Sequence, residues 1–323
     1  MNTEASPITP LLPRIRESLR AHPRLVLEAP PGAGKTTQVP PALLDEPWLR
    51  GKQIVMLEPR RIATRAAAEF MAAQRDEAAG QTVGYRIRFE SRVSDSTRIL
   101  VVTEGILTRM LQDDPELPGV GAIVFDEFHE RHLAGDLGTA LALDVQASLR
   151  PDLRIIVMSA TLDDTRIPAW LDAPLLRSEG RAFPVRIAYP PAQRGESELA
   201  HLRRTTQQAL VETDGDVLVF LPGRREIAQA QRALGGILAA PCGSGLGGEG
   251  PEHRVEFVPS SGAARPLLPE GEGNCAARIE VLPLHGELSL AEQQAALAPA
   301  DAGTRRVILA TNVAESSITV PGV

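Results

Sequence analysis

An apolar run, Leu25–Glu28, leads straight into Ala29-Pro-Pro-Gly-Ala-Gly-Lys-Thr-Thr37. The order strand, glycine loop, helix start is the context that the phosphate-loop pattern G-x-x-x-x-G-K-[ST] requires, and it restricts the chain to α/β folds with a strand feeding a helix. Gly32 and Gly34 let backbone N–H groups turn inward where a Cβ would obstruct, and the dipole at the start of the following helix favours an anion. Ala33 and Thr37 complete the loop. Lys35 is a compact charge able to reach terminal phosphates, and the Thr36 hydroxyl suits a Mg²⁺ ligand. The first glycine of the pattern is Ala29 here, a small residue. Of 34 basic residues only Lys35 and Lys52 are lysines, so a chain that writes Arg almost everywhere keeps Lys at the loop.

A second apolar run, Ala122–Phe125, ends in Asp126-Glu127-Phe128-His129. Paired carboxylates at a strand end complete the chemistry that a phosphate loop begins. Asp126 is expected to hold the shell of a Mg²⁺ ion, with Thr36 and Glu127 beside it, and Glu127 to polarise an attacking water as general base. After the next apolar run comes Ser159-Ala160-Thr161. Hydroxyl residues at a strand's C-terminal end face the crevice where ligands bind, and Ser159 and Thr161 are placed to couple that site to a second domain. Taken alone, the tripeptide reads more readily as a cap or a turn.

Five short apolar runs, Leu25–Glu28, Gln53–Leu57, Arg98–Val102, Ala122–Phe125 and Arg154–Met158, alternate with helical stretches such as Ile62–Arg75, Gly105–Leu111 and Leu137–Leu149. That alternation predicts a parallel α/β sheet in a first domain, residues 1–173. Residues 174–195 read as a linker carrying one strand, Val185–Tyr189. A second set of strands and helices follows over 196–323. Within it, 235–275 has Gly or Pro at 15 of 41 positions, against 54 of 323 in the whole chain. This excess predicts a disordered insertion. Both cysteines, Cys242 and Cys275, lie inside it without metal-ligand spacing, so neither a disulfide framework nor a zinc site is supported.

The formal charge of −7 excludes binding of nucleic acid through bulk basic charge, and aromatics at 3% exclude a surface built of many stacking rings. Backbone contact through amides, hydroxyls and arginines is the alternative. No run is long and apolar enough for a membrane span, and Met1–Pro13 lacks a signal-peptide core, which places the chain in the cytoplasm.

Together and in order, these motifs resemble the DEAH-box branch of the superfamily 2 helicases, with Asp126-Glu-Phe-His-Glu-Arg131 most like the bacterial HrpB type. Gly32–Gln38 is similar to motif I of that family, Leu57-Glu-Pro-Arg-Arg61 to motif Ia, Val83–Phe89 to a strand typical of the branch and Thr103-Glu-Gly105 to motif Ib. Ser159–Thr161 is similar to motif III, Val219–Gly223 to motif IV and Ala310–Thr319 to motif V. The resemblance implies two RecA-like P-loop NTPase domains with parallel sheets, the second incomplete, and an ATP-dependent RNA helicase activity. It implies ATP, or another NTP, with Mg²⁺, held by Gly32, Ala33, Gly34, Lys35, Thr36 and Thr37, with Arg61 stacked on the base. It implies a catalytic group of Lys35, Asp126, Glu127 and His129. Single-stranded nucleic acid, RNA before DNA, would lie against Arg60, Thr103, Gly105, Gly223, Thr311 and Asn312. The position after Asp-Glu is Phe128 where the family name has Ala. The chain stops at Val323, before the family's arginine-finger motif Q-x-x-G-R-x-G-R, so a catalytically impaired nucleotide-binding fragment is the alternative expectation. Arg305 and Arg306 are the nearest candidates within the chain for a finger's role.

Overall fold

The computed structural model describes residues 6–160, 166–178, 185–238, 256–257 and 278–314. The chain divides into two compact units, Met1–Pro184 and Val185–Val323.

In the first unit helix α1 (Leu12–Ala21) precedes strand β1 (Arg24–Glu28), and helix α2 (Lys35–Leu43) follows the glycine loop. Strand β2 (Gln53–Leu57), helix α3 (Arg61–Ala73), a hairpin of β3 (Val83–Ile87) and β4 (Glu90–Arg92), and strand β5 (Ile99–Val102) come next. Helix α4 (Glu104–Asp113), strand β6 (Val120–Phe125), helix α5 (Leu133–Ser148), strand β7 (Arg154–Ser159), helix α6 (Arg166–Trp170) and strand β8 (Leu175–Arg177) complete it. The eight strands form one sheet in the order β4-β3-β5-β2-β6-β7-β1-β8, parallel except for β4. Strand β8 lies beside β1 and thus draws Leu175–Arg177, within the stretch read from the sequence as linker, into this sheet.

Both faces of the sheet are covered, which is why its strands read as unbroken apolar runs. Leu25, Leu27, Ile54, Met56, Val124 and Ile156 face α1, α2 and α3, where they meet Ile15, Val39 and Met71. Their neighbours Val26, Val55, Ile123, Phe125 and Val157 face the other way, against Leu107 and Val145 of α4 and α5. Each such aliphatic side chain, fully buried, contributes about 1.5–3 kcal/mol. The order of β1 and β6 about β7 brings the chain segments leaving these strands to the same edge of the sheet.

The second unit contains helix α7 (Glu198–Glu212), strand β9 (Val217–Phe220), helix α8 (Arg224–Leu238), the two-residue strand β10 (Glu256–Phe257), strand β11 (Arg278–Leu284), helix α9 (Leu290–Leu297) and strand β12 (Thr304–Ala310). Its four strands are parallel in the order β10-β11-β12-β9. Helix α8 packs Ile227, Ala230 and Leu234 on Ile279, Val281, Val307 and Leu309. A capping box between Ser289 and Glu292 starts α9.

Two expectations are corrected here. Val185–Tyr189 joins no sheet among the described residues, and Val185, Ile187 and Tyr189 are 82%, 71% and 89% exposed. The alternating pattern is that of a strand, but a strand also needs a neighbour to pair with. The expected insertion 235–275 starts too early, because α8 runs on through Gly235 and Gly236 to Leu238. Packing of the α8 stripe outweighs the roughly 1 kcal/mol by which each glycine disfavours a helix. Glu256 and Phe257 pair with Arg278 and Ile279. The rest of that segment lies outside the described residues, as do Thr161 and motif V from Glu315 onward.

Candidate nucleotide site

The glycine loop is held from both sides. Ala29 donates to the Ser159 carbonyl at 3.0 Å, and Ile8 donates to the Ala33 carbonyl at 3.1 Å. Ser6 Oγ bonds the same carbonyl. Gly32 and Gly34 have φ of +73° and +87°, the left-handed region that a Cβ disfavours. A Cβ on Gly34 would also strike Ser6 Oγ. The amides of the first turn of α2, from Lys35, have no intrahelical acceptor, so the loop presents donors without side chains in the way.

Lys35 is buried and so are Asp126 and Glu127, although none is an apolar residue. They meet because β1 and β6 flank β7. Thr36 Oγ1 donates to Asp126 Oδ2 at 2.5 Å. Lys35 Nζ lies 3.5 Å from Glu127 Oε1. Asp126 Oδ1 accepts from the Glu127 amide at 2.8 Å, which fixes the turn leaving β6. Glu127 itself sits at φ +50°, a left-handed conformation that costs a non-glycine residue energy and that the surrounding contacts impose. Burial, then the neighbouring charge of Asp126, pushes the Glu127 carboxyl up to about 7, while Lys35 opposes the shift.

His129 Nδ1 accepts from the Ala160 amide at 3.3 Å. It lies 3.4 Å from Glu127 Oε2. Burial first, and Lys35 next, hold the imidazole below its usual value. Thus the acidic strand end is tied to the Ser159-Ala160 strand end by a direct bond. Ser159 is fully buried at the end of β7.

The donor set fits a Mg²⁺ ion and a nucleotide. A threonine hydroxyl and a carboxylate share a hydrogen bond that a cation can replace, and the glycine cradle stands beside them. Among the described residues no three His, Cys, Asp or Glu side chains form a ready-made metal cage.

Sequence reasoning passed over one acid of the site. Glu58, directly after β2, is 1% exposed and its Oε2 has no hydrogen-bond partner among the described residues. Burial, followed by the charges of Asp126 and Glu127, holds its carboxyl well above the ordinary range. The available signal was an acid closing an apolar run, the same signal that marked Asp126.

Other expected residues lie at strand ends of their own units. Arg60 bonds Glu130 Oε2 at 3.4 Å. Arg61, exposed, donates to the Arg88 carbonyl at 3.3 Å. Thr103 precedes α4 without a side-chain cap bond, and Gly105 has open space where a Cβ would stand. Thr36 and Thr37 lie in the first turn of α2. In the second unit Gly223 follows β9, while Thr311 and Asn312 follow β12, with the Thr311 amide donating to Leu284 at 3.2 Å. Arg305 and Arg306 are spent on the fold: Arg305 donates to the carbonyls of Leu210 and Gly215 at 2.6 Å each, and Arg306 is buried against Asp216.

The model of the DEAD/DEAH box helicase family matches residues 13–167, and that of the helicase conserved C-terminal domain matches 257–323. Over 98% of its length the chain is 42% identical to the ATP-dependent RNA helicase HrpB of Escherichia coli (strain K12). The chain belongs to the DEAH-box helicases of the HrpB type. It is also 30% identical, over 99% of its length, to an ATP-dependent RNA helicase HrpA homologue of Haemophilus influenzae. The crystal structure of the Escherichia coli DEAH/RHA helicase HrpB superposes with a TM-score of 0.81 at 40% identity, covering 99% of this chain. Two RecA-like domains are thereby the architecture of this chain, as expected. The chain spans 35% of the HrpB sequence, 22% of the HrpA homologue and 36% of the solved HrpB chain. Among the described residues no helix is long and apolar enough to cross a membrane.

Proposed function

We propose that the chain is the two-domain motor of an ATP-dependent RNA helicase acting in the cytoplasm, binding Mg·ATP on its first unit. The observation that carries this is the meeting of Lys35 and Thr36, at the start of α2, with Asp126 and Glu127, which follow β6. The loop amides and Lys35 take the phosphates, and Thr36 and Asp126 hold the cation. Mg²⁺, when bound, supplies charge neutralisation on the phosphate oxygens. Glu127, with a carboxyl poised near neutrality, accepts a proton from the attacking water. His129 carries the state of this site to the strand that ends in Ser159 through the Ala160 amide. Arg61 stacks on the base, which reads a π-face and so tolerates several NTPs. Arg60, Thr103, Gly105, Gly223, Thr311 and Asn312 contact the backbone of a single RNA strand, which positions it without reading sequence.

Turnover of ATP with and without single-stranded RNA, with DNA of the same sequence in parallel, tests this. Stimulation by RNA that Glu127→Gln abolishes while nucleotide binding persists is the expected result. Absence of nucleotide binding by the parent chain would overturn it. The kinship with named ATP-dependent helicases favours this reading over that of an inert nucleotide-binding fragment.

A further inference from the structure

We propose that Glu58 is a positioning residue of the metal–nucleotide site: its free carboxyl oxygen accepts a hydrogen bond from a water of the cation's shell. This rests on the reading of the loop and Asp126 as a site for Mg·NTP.

Placement comes first. Leu57 and Phe125 are register partners on adjacent parallel strands, so Glu58 and Asp126 leave the sheet side by side. Their backbones are pinned there: the Asp126 amide donates to the Leu57 carbonyl at 3.1 Å, and the Glu58 amide to the Val102 carbonyl at 2.9 Å. The Glu58 side chain thus lies beside Asp126, the residue that bonds Thr36.

Burial without a partner comes second. Glu58 Oε2 is closed off from solvent and finds no donor in the described structure. An unmet polar atom in a protein interior costs about 1–3 kcal/mol. A purely structural position after β2 would be served better by an apolar side chain. Three carboxyl groups, Glu58, Asp126 and Glu127, gather here beside the ammonium of Lys35. Such a field draws a divalent cation. Mg²⁺ keeps several of its waters in nucleotide sites, and those waters need acceptors. Glu58 supplies one, an oxygen with no other partner among the described residues.

The test compares the parent chain with Glu58→Gln and Glu58→Leu. Binding of Mn²⁺ in the presence of a non-hydrolysable ATP analogue is read from the electron paramagnetic resonance of free Mn²⁺. Binding of a fluorescent nucleotide in EDTA and the melting temperature in EDTA are read beside it. We expect Glu58→Leu to release Mn²⁺ about tenfold more readily, the low end of the effect of groups that orient a metal's ligands, and Glu58→Gln, which keeps an acceptor oxygen, to hold it near the parent's affinity. Metal-free nucleotide binding stays as in the parent, and Glu58→Leu melts at a higher temperature than the parent. Unchanged Mn²⁺ affinity of Glu58→Leu would overturn the inference. So would variants that melt lower, or that lose metal and nucleotide together, because Glu58 would then serve the fold. A parent chain that binds no Mn·nucleotide would instead overturn the underlying site assignment.

Discussion

Lys35 Nζ and Glu127 Oε1 stand 3.5 Å apart, and both side chains are nearly closed off from solvent. The group proposed to take the phosphates and the group proposed to activate water therefore hold one another in the ligand-free chain. Coupling of this kind keeps a buried ammonium and a buried carboxylate compensated before the substrate is present.

Lys35→Ala removes the one lysine charge at the loop. A hydrogen bond to a charged group is worth about 1.5–3 kcal/mol. Binding of a fluorescent ATP analogue in Mg²⁺ should therefore weaken about ten- to a hundredfold. Lys35→Arg should not restore it, since a planar guanidinium does not fit a cradle shaped for a compact charge. Equal affinities of variant and parent would remove Lys35 from the site.

Glu127 gives the ligand-free chain a pH dependence of known sign. Burial, then the charge of Asp126, pushes its carboxyl up to about 7 in the folded chain, against an ordinary value of 4.5. Between those values the folded chain binds more protons than the unfolded one, so stability falls as pH rises through that window and levels off above it. Glu127→Gln removes this titration. The melting temperature of the variant minus that of the parent, measured in EDTA, should increase from about pH 5 to about pH 8. A flat difference would show that burial does not perturb this carboxyl.

Gly32 and Gly34 make separable demands on the loop. Each has a positive φ, which costs an L-residue about 1–2 kcal/mol. A Cβ on Gly32 meets nothing within 4 Å, whereas one on Gly34 also collides with Ser6 Oγ. Gly34→Ala should therefore lower the melting temperature more than Gly32→Ala. Ser6→Ala in the Gly34→Ala background should recover only the excess. Equal losses in the two single variants would mean that Ser6 yields freely.

The first unit was legible because its strands are buried on both faces and so read as uninterrupted apolar runs. The helices between them fall within a few residues of expectation. Lys35, Thr36, Asp126 and Glu127, which the structure brings together, could be singled out because polar residues stand there directly after a glycine loop or an apolar run. Glu58 was passed over since its role depends on a neighbour in space, Asp126, which lies far along the chain. Val185–Tyr189 failed in the opposite direction: alternation describes a side chain's surroundings, while strand formation also requires a free edge. Strand β4 and α9 escaped notice because each is short and carries little apolar surface of its own, whereas β3 was picked out by its resemblance to a strand of the family.

The last prediction concerns the arginine pair ending the chain's basic complement, Arg305 and Arg306, which the sequence offered as candidates for a finger. Arg306 is 2% exposed and Asp216 6%. Its Nε and Nη2 donate to Asp216 Oδ2 at 2.8 and 2.6 Å, its amide donates to Oδ1 at 2.7 Å, and Nη1 donates to the Ala298 carbonyl. This network joins the start of β12 to the approach to β9 and to the end of α9. Breaking a buried ion pair by removing one partner costs about 3–5 kcal/mol, because the other charge is left without compensation. Arg306→Ala should thus unfold the second unit at a markedly lower temperature, as should Asp216→Ala. The double variant should lose less than the sum of the two. Fluorescent-nucleotide affinity on the first unit should be unaffected by all three. A variant of Arg306 that folds with parental stability but fails to hydrolyse ATP would reassign this side chain from the fold to the chemistry.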